Sequence, residues 1–154
     1  RRQIMDKVSI FSVTSKMIYK MNAIIETPEG KSTLAKFRNS IGKNLENSMD
    51  LWPILFEELP KEYLGNGKSI TKEENAILLT LQLYALYLQG SSILLTNSEN
   101  EEKFKNIGFS LKILRTDDSI SADRRFSAMI TSTTIEELAN HMRHMIKILK
   151  YRFS

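Results

Sequence analysis

His141 and His144 are the only imidazoles in the chain, and there is no cysteine. Three residues apart on one helix, two histidines share a side and could hold a metal ion. A zinc-type site needs three or four ligands, so distant carboxylates would have to complete it. The absence of thiols excludes disulfide scaffolds, thiolate zinc and cysteine nucleophiles. Gly67-Lys68-Ser69 resembles the end of a phosphate-binding loop, but Glu62 stands where the motif needs its first glycine. Asp117, Asp118 and Asp123 suggest a metal-dependent nuclease, yet their spacing is that of a connector and a helix cap. No catalytic residue, metal site or cofactor is expected, and the histidines are read as surface or boundary residues.

The basic residues give a more coherent pattern. At about 100° per residue, Arg143, Lys147 and Lys150 form one stripe beside the apolar face of the last helix, over about 10 Å. In the preceding helix Arg124 points away from Phe126, Met129 and Ile130, while Arg125 flanks them. Lys36 and Lys43 lie opposite the Leu34/Phe37/Ile41 face, with Arg38 on its shoulder. The planar fork of arginine and the point charge of lysine suit phosphate, and a surface that reads only backbone needs nothing more. The same residues admit a structural reading. Lys147 and Lys150 can complement a helix dipole, and Arg38 can pair internally with Glu or Asp. From the residues alone, nucleic-acid contact, a protein–protein scaffold and an unseen enzyme all stay open.

These side chains must be positioned by helices. Ile4, Val8, Phe11, Ile18 and Ile25 recur at helical spacing and predict one long helix, or two joined near Ser12–Ser15. Thr27-Pro28-Glu29 reads as a cap, a proline at the first position and an acid in the first turn. Leu34, Phe37, Ile41 and Leu45 follow on one side. Trp52, Leu55, Phe56 and Leu59 predict a short helix stopped by Pro60. Thr71 with Glu74 makes a capping box opening the most apolar segment, Ala76 to Leu88, a buried central helix ended by Gly90. Phe104, Ile107, Leu111 and Leu114 mark another helix. Phe126, Met129 and Ile130 mark one starting after Ala122 or Asp123. Thr133 and Thr134 offer overlapping capping boxes with Glu136 and Glu137 for the last, whose apolar side is Ile135, Leu138, Met142, Met145, Ile146 and Leu149. The expected fold is all-α, a compact bundle of six or seven helices forming one domain over residues 1–154.

The composition agrees. Of 154 residues, 42% are hydrophobic and 26% charged, the balance of a globular protein. The net charge is only +4, but it is unevenly placed. Residues 1–50 carry nine Lys and Arg against five acids, and residues 124–154 six against two, while the middle is acidic. If the two ends pack together, one face becomes electropositive, as a polyanion partner requires. No apolar run reaches the ~20 residues of a membrane span, and no export signal stands at the start. The protein is expected to be cytoplasmic. The missing initiator methionine suggests that the chain is not the whole translated product.

The order of segments carries a resemblance. Leu34-Ala35-Lys36-Phe37-Arg38 precedes a Trp52 helix. Leu81-Gln82-Leu83-Tyr84-Ala85-Leu86-Tyr87-Leu88-Gln89 follows, then Ile107-Gly108-Phe109-Ser110-Leu111 and Leu114. Asp123-Arg124-Arg125-Phe126 comes next, and last Leu138 to His141-Met142-Arg143. Over about residues 30–150 this set resembles the CasB family, the small subunit of the type I-E CRISPR surveillance complex Cascade. The resemblance implies a non-catalytic helical subunit, present in two copies, touching the backbone and large subunits. Its basic surface would help hold the guide RNA–target DNA hybrid and the displaced strand. R-loop formation is a near-balanced exchange, so modest backbone contacts can tip it. By motif, Arg124, Arg125 and Arg143 carry over, and Lys36 and Arg38 more loosely; Lys147 and Lys150 rest on helix geometry. The sequence departs from the family in ending at Phe153-Ser154 and in having Asn39 where a second basic residue often follows.

Overall fold

The molecule is organised around its most apolar segment. In the computed structural model, Thr71 Oγ1 accepts from the Glu74 amide at 3.1 Å, and the Glu74 carboxylate accepts from the Thr71 amide at 2.6 Å. This is the expected capping box, which satisfies two donors that a helix start would otherwise leave unpaired. It opens α4 (Lys72–Leu88), in which Ile77, Leu81 and Ala85 are wholly buried. The helix is followed by Gly90 at φ +70°, a left-handed conformation that a glycine adopts without β-carbon strain.

The structure describes residues 9–43, 45–65, 69–90, 107–115 and 120–153. Seven α-helices and two 3-10 turns occur among them, with no strand. The other helices are α1 (Ile10–Ile24), α2 (Pro28–Asn39), α3 (Trp52–Glu58), α5 (Ile107–Lys112), α6 (Ile120–Ile130) and α7 (Ile135–Phe153); turns at Leu45–Asn47 and Met49–Leu51 lead into α3. The all-α architecture expected from the sequence is thus observed.

Three apolar clusters connect the helices. Val13, Met17 and Met21 of α1, Leu34 and Phe37 of α2, and Leu55 of α3 pack on one side of α4. Leu79, Leu83 and Leu86 on its other side meet Ile41 and Ala139 of α7. Leu111, Leu114 and Met129 gather around Met145, so the apolar contacts of α5 and α6 are made with α7.

Both ends of α2 are close fits. Its start follows the predicted pattern, with Thr27 Oγ1 accepting from the Gly30 amide at 3.0 Å and Pro28 at the first position. A β-carbon on Gly30 would stand 1.8 Å from the Ile24 carbonyl oxygen of α1. Beyond its end, Gly42 has φ +80°, and a β-carbon there would come within 2.8 Å of Asn140 Oδ1 on α7.

Three details depart from the sequence reading. α1 is a single helix capped by Ser9, the first of the two forms expected, but it buries Val13, Met17 and Met21, with Ile18 and Ile25 packed against the core, and leaves Phe11 77% exposed. Phe126 and Ile130 of α6 face outward, and only Met129 is buried. α6 also starts earlier, at Ile120, so Asp123 sits in its first turn instead of capping it, and pairs with Arg115 at 3.1 Å.

Candidate nucleic-acid interface

The corner where α2, α4 and α7 meet is fixed by buried polar contacts. Gln82 of α4 donates its amide to both the carbonyl and the hydroxyl oxygen of Ser40, each at 2.9 Å, and Ser40 in turn donates to the Phe37 carbonyl at 2.8 Å. Both side chains are buried, so every bond here replaces water that cannot enter. On this frame Arg38 Nη1 reaches the Ala85 carbonyl at 3.3 Å, and Lys150 Nζ reaches the neighbouring Leu86 carbonyl at 3.4 Å. These carbonyls belong to the last turn of α4, the negative end of its dipole.

The structure therefore brings together two predicted residues that are 112 positions apart in sequence. Arg38 pairs with a backbone carbonyl, and among the described residues no Glu or Asp forms an ion pair with it. Lys150 does complement a helix dipole: it stands in the last turn of α7, as the sequence reading allowed, and also reaches the last turn of α4. Burial, and then the charge of Arg38, hold the Lys150 ammonium below the usual lysine range. Carbonyls satisfy cationic donors without cancelling their charge.

Arg143 and Lys147 extend this cationic corner. α7 runs unbroken through all three basic positions, and helical rotation keeps Arg143, Lys147 and Lys150 within about 60° of one another, on the flank of Ala139 and Ile146 that packs on α4. Lys147 is exposed, while Arg143 and Lys150 are half-buried. A capped start sets this rotation: Thr134 Oγ1 accepts from the Glu137 amide at 3.1 Å, and the Glu137 carboxylate accepts from the Thr133 amide at 2.9 Å.

The remaining residues fall elsewhere. Arg124 and Arg125 are exposed on α6, which packs through Met129 against Met145. That contact lies about 140–160° around α7 from the basic stripe, so the cations form two groups on opposite flanks of α7 and not one ridge. Lys36 is exposed about 160° around α2 from Arg38, and so belongs to neither group. His144 is exposed, with Nδ1 donating to the Asn140 carbonyl at 2.7 Å, and His141 lies 3.9 Å from Glu137. Among the described residues no three His, Asp or Glu side chains gather as a metal site. Gly67, Lys68, Asp117 and Asp118 lie outside the described residues. Sequence reasoning missed the Ala85 and Leu86 carbonyls, the second of which also accepts from the Gln89 amide at 3.2 Å; their only signal is that they lie at a helix end.

Fold and site together define a class: a small protein, helical throughout its described residues, with one cationic group along its last helix and another on the helix packed against the opposite flank. The family model for CRISPR-associated protein Cse2 matches residues 33–153, and the chain belongs to that family. The match covers nearly the same span as the ordered CasB-like motifs. The crystal structure of CasB from Thermobifida fusca shares the fold, with a TM-score of 0.67 at 18% identity, covering 94% of this chain and 78% of that one. No curated protein matches the chain. Among the described residues no helix is long and apolar enough to cross a membrane.

Proposed function

We propose that the chain is the non-catalytic small subunit of a type I-E CRISPR Cascade complex, working in the cytoplasm and binding nucleic-acid backbone without sequence preference. In this reading it stands in two copies beside the backbone and large subunits, and steadies the guide RNA–target DNA R-loop against the displaced strand. Family membership supports the setting. The observation that carries the binding role is the corner of Arg38, Arg143, Lys147 and Lys150, where like charges are held side by side on a rigid frame. Such a surface gains free energy from phosphates by releasing condensed counterions. Arg124 and Arg125 supply a second contact on the opposite flank of α7.

A scaffold with only protein partners is the rival. It is favoured by the Trp52–Phe56 pair, packed edge to face at 5.5 Å with each side chain more than a third exposed, and by Met49, which is 71% exposed. Reversing Arg124 and Arg125 to Glu separates the readings. Target-DNA retention should weaken while the complex still assembles, and the slope of log affinity against log salt should fall by about 2 if each arginine meets one phosphate. Loss of assembly with normal DNA contact would establish the scaffold.

A further inference from the structure

The outward side of α7 carries a feature that charge alone does not use. Tyr151 is 91% exposed, the most exposed large hydrophobic side chain among the described residues. A lone exposed tyrosine is ordinary. This one lies four residues from exposed Lys147 and seven from exposed His144, and helical rotation keeps the three within about 60°. The His144 ring is tied to its own helix by the 2.7 Å bond to Asn140, so its orientation is set before any partner arrives. Two aromatic rings thus stand about 10 Å apart along the helix, with a cation between them. No Asp or Glu follows Glu137 in the chain, whereas Arg143, Lys147, Lys150 and Arg152 all do. A flat ring beside phosphate-binding cations is the arrangement that accepts nucleobases, and only an unpaired base offers its face for stacking.

We propose that His144, Lys147 and Tyr151 form a stacking platform for unpaired bases, which makes this side of α7 selective for single-stranded over duplex nucleic acid. The inference rests on the backbone-binding reading above and adds to it a preference that phosphate contacts cannot supply. The 10 Å span takes about three base steps at the ~3.4 Å axial rise per nucleotide of a stacked strand.

The test uses fluorescence anisotropy of the full chain with three labelled probes of equal length: a mixed-sequence single strand, an abasic strand with the same phosphates, and a duplex. The intact single strand should bind several-fold more tightly than either of the others. Tyr151→Ala should cost about 5- to 100-fold on the intact strand, as loss of one base–aromatic stack implies, and leave the abasic strand unmoved. Tyr151→Phe, which restores the ring, should recover the loss. Lys147→Glu should weaken all three probes. Equal binding of intact and abasic strands, or no effect of Tyr151→Ala, overturns the platform and leaves the backbone reading standing. Absence of salt-sensitive binding to any probe overturns both.

Discussion

Two corners of the molecule hold paired cations and treat them in opposite ways. Between α1 and α3, Lys20 donates to the Glu58 carboxylate and Lys16 lies 3.5 Å from it. The Lys20 bond chiefly holds the Glu58 carboxyl below the usual carboxylate range, so opposite charges settle one another there. Between α2, α4 and α7, Arg38 and Lys150 rest on carbonyls, and the charge of one opposes the charge of the other. The first corner is built for holding helices together. The second holds two like charges close together, a juxtaposition whose cost a bound polyanion would offset.

The largest expected effect removes what both corners stand on. Leu81 is wholly buried in α4, and Leu81→Ala should lower unfolding stability by about 2–5 kcal/mol, read from the urea midpoint. Glu58→Gln sharpens the contrast. It should cost about 1 kcal/mol in the same measurement and leave nucleic-acid affinity unchanged. Because the folded-state value of Glu58 is lowered, its contribution is complete above the usual carboxylate range and disappears as pH falls through that lowered value. Lys150→Met should show the reverse pattern, a salt slope of binding reduced by about 1 with less than about 1 kcal/mol change in stability. In the parent chain, raising the pH should discharge Lys150 before ordinary lysines. Affinity then weakens, while stability rises, since folding disfavours the charged form of this ammonium. The smallest effect is expected at Arg115 and Asp123, which are 71% and 53% exposed at the side chain; replacing both with Ala should change stability by less than about 0.5 kcal/mol.

The contrast between corners also marks what the sequence could disclose. The capping box at Thr71/Glu74, the cap that Thr133, Thr134 and Glu137 make for α7, and the Thr27-Pro28 start were legible because their partners lie three or four residues away. The buried side of α1 was not. Of the expected stripe Ile18 and Ile25 do pack against the core and Phe11 does not, while the fully buried Val13, Met17 and Met21 lie to one side of it, a rotation that only the position of α4 decides. The basic stripe of α7 followed from rotation, but its neighbour did not, because Arg38 and Lys150 meet through carbonyls that no side-chain pattern announces. Whether Arg124 and Arg125 would join that stripe depended on which flank of α7 receives α6, a matter of long-range packing around Met145.

Helix α2 is seated hard at its start, where Gly30 leaves no room beside the Ile24 backbone, while beyond its end Gly42 meets only the movable amide of Asn140. That seat holds the helix which delivers the Arg38 guanidinium to the Ala85 carbonyl, so the cationic corner leans on a position that carries no charge at all.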